Sequence, residues 1–173
     1  SDADRPVNPH ARAREICLNL LAARQRTRAE LRAALLRKGI DVEVADTVLG
    51  RLDEVGLIDD AAFAEAWVHS RHTYHGLGRH ALAAGLRRKG IDESVAKQAA
   101  AAVDPVAEEQ RARQLVRKRL RSMGSAEEST KVRRLVGMLA RKGYSQGVAY
   151  RVVREELREA GEDTPLLDEM GDE

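Results

Sequence analysis

Aromatic side chains are scarce in this 173-residue chain: one Phe, one Trp and three Tyr make up 3% of it. A chain so poor in flat rings has no row of stacking platforms, so base stacking is not its main means of holding a single strand. Cysteine is scarcer still, because Cys17 stands alone. One thiol builds no internal disulfide framework and suits a reducing compartment, so a cytoplasmic protein is expected. No apolar run approaches the roughly 18–20 residues that a spanning helix needs. The first ten residues are polar, include Pro6 and Pro9, and lack the apolar centre of an export signal.

What the chain does have is charge, at 34% of residues, and an abundance of Leu, Ala, Arg and Glu. All four are good helix formers, and the balance suits a soluble helical protein with wide polar faces. The net charge of +2 hides a division. Residues 162–173 hold Glu162, Asp163, Asp168, Glu169, Asp172 and Glu173 and no base, so the first 161 residues carry +8. A basic body beside an acidic segment is common in proteins that meet nucleic acid or nucleoprotein; a merely solubilising tail is the plainer alternative.

Self-comparison gives the organising feature. Three segments read alike: Leu31-Arg-Ala-Ala-Leu-Leu-Arg-Lys-Gly-Ile40, Leu82-Ala-Ala-Gly-Leu-Arg-Arg-Lys-Gly-Ile91 and Leu135-Val-Gly-Met-Leu-Ala-Arg-Lys-Gly-Tyr144. The glycine can take the left-handed conformation that closes a helix, and the preceding bases face the negative end of its dipole. The next residue, Ile40, Ile91 or Tyr144, supplies the apolar contact of the cap. Asp41, Asp92 and Ser145 follow as N-caps of a new helix, with Val44, Val48 and Leu52, or Val148, Val152 and Leu157, at helical spacing. Upstream, Thr27 with Glu30 and Ser125 with Glu128 read as capping boxes. A further helix precedes each box-and-turn element: from about Ala11 to Ala23, from Asp59 or Asp60, and from Asp104-Pro105, a cap followed by a first-turn proline. The expected fold is all-α: nine helices in three tandem three-helix repeats, forming an elongated array. The expected divisions are a disordered N-terminus at 1–10, repeats at 11–56, 57–103 and 104–161, and an acidic tail at 162–173.

Catalytic patterns are missing. Gly76-Leu-Gly78 follows a helix, not a strand, and reads as a turn. Cys17 lies between Ile16 and Leu18 and reads as a packed core residue. His69, His72 and His75 step by three with His80 nearby, but such a step drifts about 60° around a helix each time, so an exposed helix end is favoured over a metal site. No metal, no cofactor and no enzymatic activity are expected. The basic runs say more. Arg111, Arg113, Arg117, Lys118, Arg119 and Arg121 crowd one helix, and Lys131, Arg133 and Arg134 follow on the next. With few acids between Glu109 and Glu127, the group reads as a binding surface for phosphates or acidic protein. A rival pattern is the helix-turn-helix of a DNA-binding transcriptional regulator over Leu31–Asp60, which in its winged form needs a β-wing after Ile58; helical sequence follows there instead.

Gly56-Leu-Ile-Asp-Asp60, Phe63, Ser70-Arg71, Gly76-Leu-Gly78 and Leu86-Arg-Arg-Lys-Gly-Ile91, in that order, resemble the central signature of the RecX family. Thr27–Ile40 and Arg141–Tyr144 are similar to that family's first and third repeats, so the resemblance runs from about Ala11 to Gly161. Gly85 departs from it, standing where the family often has glutamate and weakening the helix by up to about 1 kcal/mol against alanine. The resemblance implies a regulatory protein that binds RecA and the RecA–DNA filament. It would restrain filament growth and so damp recombinase, ATPase and co-protease activity in recombination, repair and the SOS response. With the basic surface, weak, sequence-independent DNA contact is also expected, as is a monomer. Arg71, Arg79, Arg87 and Arg88 join the basic runs as expected contacts.

Overall fold

A computed structural model describes residues 8–162. Among them are nine helices and no strand: α1 Pro9–Ala23, α2 Arg28–Arg37, α3 Val42–Glu54, α4 Asp60–His75, α5 Arg79–Arg88, α6 Glu93–Ala101, α7 Pro105–Leu120, α8 Glu128–Arg141 and α9 Gln146–Glu162. The acidic segment after Glu162 lies outside the described residues, as do residues 1–7.

The three Lys-Gly turns share one hydrogen-bond pattern. Gly39, Gly90 and Gly143 have φ of 81°, 82° and 96°, the left-handed conformation. Ile40, Ile91 and Tyr144 donate their amides to Leu35, Leu86 and Leu139 at 3.0, 3.1 and 3.0 Å, and each glycine donates to the carbonyl three residues back. These are Schellman closures, and the apolar residue of each is at least 95% buried. The new helix is then capped by Asp92, whose carboxylate accepts from the Ser94 amide at 3.1 Å, and by Ser145, whose hydroxyl accepts from the Val148 amide at 3.2 Å. Asp41 holds the same position without a side-chain bond.

Other helix starts differ from expectation. The first helix begins at Pro9, two residues early, because Asn8 accepts from the His10 amide and Pro9 suits the first turn. Thr27 caps α2 through the Glu30 amide at 3.1 Å, but Glu30 does not return the bond; its carboxylate pairs with Arg24 and Lys89 instead. Ser125 caps nothing. The chain leaves α7 through tight turns at 121–125, with Gly124 at φ 60°, and α8 starts only after Glu127.

The described residues form two compact units. One takes them up to Trp67 together with Ala84–Ala99; the other takes Val68–Ala83 with those from Ala100 onward. In the first, α1, α2 and α3 enclose Cys17, Leu31, Leu35, Ile40, Val48, Leu49 and Leu52. In the second, α7, α8 and α9 enclose Ala112, Val116, Leu135, Leu139, Tyr144, Val152 and Val153. Burying each such Leu or Val contributes roughly 1.5–3 kcal/mol. Gly85 also finds its explanation within the first unit. A Cβ added there would lie 2.3 Å from Trp67 Cη2, so the missing side chain makes room for the indole ring.

Candidate binding surface

The basic helix α7 presents two faces. Arg113 and Arg117 stand four residues apart, one turn, and so project on the same side. The structure sets that side against α9, which carries Glu155, Glu156 and Glu159 at matching spacing. Arg117 donates to Glu156 twice, through Nε at 2.7 Å and Nη2 at 3.0 Å. Arg113 donates to Glu156 at 3.4 Å and to Glu155. Arg151 of α9 returns a bond to Glu109 of α7. Glu156 is only 3% exposed, so its charge is tolerable because guanidinium groups satisfy both oxygens. The Glu155 hydrogen bond raises the Arg113 pKa, the Glu156 hydrogen bond raises that of Arg117, and the Arg113 hydrogen bond holds Glu155 below the usual carboxylate range. This face is therefore neutralised from outside α7. The neutralising carboxylates come from roughly 40 residues downstream, and Arg113 and Arg117 are committed to them.

Three more expected contacts serve their own unit. The Arg111 guanidinium donates to the His72 carbonyl at 3.4 Å and to Gln114 at 3.3 Å. The Arg79 amide donates to the buried Glu108 carboxylate at 2.8 Å, and its guanidinium donates to the Val103 carbonyl. Arg87 lies 3.8 Å from Glu93. Arg71 is exposed on α4.

The remaining cations, Arg88 in the first unit and the others in the second, are less engaged. Lys118, Arg121, Arg133, Arg134 and Arg88 are exposed and Lys131 is half-buried; among the described residues, no carboxylate pairs with any of them. Arg119 is also exposed, and among the described residues its guanidinium meets only the Ser122 hydroxyl, at 2.9 Å. Two depressions lie in the second unit. One of about 380 Å³ is bordered by Leu120, Arg121, Glu159 and Ala160 beside the Arg117–Glu156 pair. One of about 230 Å³ is lined by Arg79 and Arg151 but equally by Glu108 and Glu109, so its charges cancel and an anion gains little there.

The other sequence candidates have local roles. His72 Nδ1 lies 2.9 Å from the Leu77 carbonyl, in the turn that Gly76 makes at φ 68°, while His69, His75 and His80 are exposed. Among the described residues, no three of His, Cys, Asp and Glu gather as metal ligands. Cys17 is a core residue, and burial pushes its thiol pKa up. Where a winged-helix protein needs its wing, α4 begins. No helix of the described residues is long and apolar enough to cross a membrane.

Comparison with known proteins agrees along the chain. Models of the first, second and third RecX three-helix domains match residues 13–52, 59–99 and 107–153. The regulatory protein RecX of Amycolatopsis mediterranei is 59% identical over 164 residues, 95% of this chain and 94% of that protein. That of Thermobifida fusca is 54% identical over 156 residues, 90% and 84% of the two chains. Among solved structures, RecX from Lactobacillus salivarius superposes with a TM-score of 0.81 over 86% of this chain and 96% of its own, at 22% identity, a likeness of fold. A second, described as regulatory protein RecX, gives 0.78 over 85% and 72% at 26% identity.

Proposed function

The chain belongs to the RecX family, which is a family of regulatory proteins and not of enzymes, and from that membership we propose that it binds RecA and its nucleoprotein filament and inhibits them. The observation that carries this reading is the match of all three three-helix domains in order, with relatives at more than half identity over nearly their whole length. Binding restrains filament growth and thereby lowers strand exchange, ATP hydrolysis and co-protease activity in recombination, repair and the SOS response. The protein acts in the cytoplasm as a monomer, with three tandem repeats at 11–56, 57–103 and 104–161, and touches DNA weakly and without sequence preference.

The surface chemistry supports this. A body of charge +8 is attracted to a filament that carries DNA and acidic protein surface, which speeds encounter more than it tightens the final complex. Of the thirteen basic residues expected at the contact, Arg88, Lys118, Arg119, Arg121, Lys131, Arg133 and Arg134 suit the role best, because no carboxylate of the described residues occupies them. The test is RecA-catalysed strand exchange and DNA-dependent ATP hydrolysis with this protein titrated in. Both are expected to fall at stoichiometric or lower ratios to RecA. No change at a twofold excess refutes the proposal, and a strong preference for one duplex site over random competitor would point to a transcriptional regulator instead.

A further inference from the structure

The Lys-Gly turns do more than end helices, because two of them are mating parts. In the first unit, the Thr27 hydroxyl donates to the Lys89 carbonyl at 3.1 Å, and a Cβ on Gly90 would lie 2.3 Å from the Ala29 Cβ. Lys89 Nζ reaches back to Glu30 at 3.4 Å. In the second unit, the Gly78 amide donates to the Lys142 carbonyl at 2.8 Å and the His80 amide to Gly143 at 3.1 Å. A Cβ on Gly143 would lie 2.3 Å from the Ala81 Cβ, and Lys142 Nζ donates to the His75 carbonyl at 3.1 Å. Each seam therefore seats the Lys-Gly turn of one repeat on the start of the second helix of the repeat before it. Thr27 and Gly78 occupy the same place, since each lies 11 residues before the lysine of its own repeat.

The third repeat has the same register, but among the described residues no turn is seated there. The residue 11 before Lys142 is Lys131, and those 9 and 8 before it, matching the seam positions of His80 and Ala81, are Arg133 and Arg134. Whereas α2 and α5 begin just after Thr27 and Gly78, α8 begins at Glu128, so Lys131 already lies inside the helix. Its amide is spent on the Glu127 carbonyl at 3.0 Å. The positions that receive the next repeat in the first two cases are here helical and carry three bases, and among the described residues no turn is seated on them.

We propose that this filled-in third seat is a docking face for the phosphate backbone of a nucleic acid, held by Lys131, Arg133 and Arg134. The inference deepens the DNA contact proposed above by assigning it to one face, and it excludes Arg113 and Arg117, whose charges are met by α9. Phosphate is the matching occupant because three cations without carboxylate partners among the described residues release counterions on binding it.

The experiment compares K131Q/R133Q/R134Q with R14Q/R37Q/R51Q, which removes the same charge from exposed positions elsewhere. Glutamine is a good helix former, so the helices are retained, and circular dichroism of the full chain checks that. Binding to a fluorescent random-sequence duplex is followed by anisotropy between 50 and 200 mM salt, without RecA. The third-seat variant should bind at least about tenfold more weakly at low salt, with the log–log salt slope smaller by up to about 2.7, three phosphates' worth. The control should stay within about twofold. Equal losses in both variants, an unchanged slope, or no binding by the parent protein at 50 mM salt would each overturn the proposal. Retained DNA binding with lost inhibition of strand exchange would also overturn it, assigning the face to acidic protein. Because DNA binding is measured alone, a failure here leaves the RecA reading to be judged by its own assay.

Discussion

Alanine at the three Lys-Gly turns separates the cost of backbone conformation from the cost of a seam. All three glycines are left-handed, so each substitution places an L side chain where it costs about 1–2 kcal/mol. At Gly39 nothing among the described residues lies within 4 Å of the new Cβ, so that conformational cost is the whole expected loss. At Gly90 the new methyl would also meet Ala29 Cβ at 2.3 Å, and Ala29 has no rotamer to swing away. Overpacking of that kind adds roughly 1–3 kcal/mol. At Gly143 the clash involves Ala81 Cβ at 2.3 Å and its backbone nitrogen at 2.4 Å. Relieving it separates Gly78 from Lys142 and His80 from Gly143, whose hydrogen bonds contribute about 1 kcal/mol each. The expected order of loss is Gly39→Ala at about 1–2, Gly90→Ala at about 2–5 and Gly143→Ala at about 4–7 kcal/mol. Urea unfolding followed by circular dichroism measures it, with the m-value checked for constancy. If Gly143→Ala costs no more than Gly39→Ala, the seam contributes nothing to stability and the reasoning fails.

Gly85→Ala should destabilise by up to about 2 kcal/mol, although alanine is the better helix former by about 1 kcal/mol. The clash with Trp67 should also shift the emission of the chain's only tryptophan, and a more stable variant with unchanged emission would contradict this packing. Glu156→Ala strips the buried partner from Arg113 and Arg117 and should cost about 2–3 kcal/mol in urea unfolding, well above the loss for the more exposed Glu155→Ala. Burial raises the pKa of the Cys17 thiol, so its contribution to stability is complete below the unfolded thiol value near 9 and lost as pH rises above it. A urea series from pH 8 to 10 should show that decline, and Cys17→Ala should flatten it at a uniform cost for the lost sulfur. Tyr144→Phe removes the bond from the phenol to the Gly76 carbonyl at 2.8 Å and should cost about 1 kcal/mol.

The charged face on α7 shows why one part of the surface was legible in the sequence and another was not. Neutralisation of Arg113 and Arg117 depends on Glu155 and Glu156, and nothing local says which side of α9 will face them. In hindsight the spacings carry a signal: arginines four apart on one helix and a run of glutamates at positions 155, 156 and 159 on another. The signal becomes an ion-pair ladder only once the two helices are known to pack side by side and parallel, with Glu109, Arg113 and Arg117 beside Arg151, Glu155 and Glu159. Lys118, Arg133 and Arg134 needed no such knowledge, because a cation without a nearby acid stays one unless the fold supplies a partner.

The sequence by itself determined the helical class and the three Schellman turns. Each of these rests on interactions that close within about six residues, where side-chain type dictates backbone conformation. Tertiary structure alone decided what those turns touch. It decided that Lys89-Gly90 and Lys142-Gly143 are mating surfaces while, among the described residues, nothing lies near a Cβ on Gly39 and the Lys38 carbonyl meets the Arg12 guanidinium of its own repeat at 3.3 Å. It also decided that Gly85 is a space for Trp67 and that Ser125 lies in a turn rather than at a cap. These outcomes depend on which distant backbone approaches, a matter of close packing between elements that no local pattern encodes.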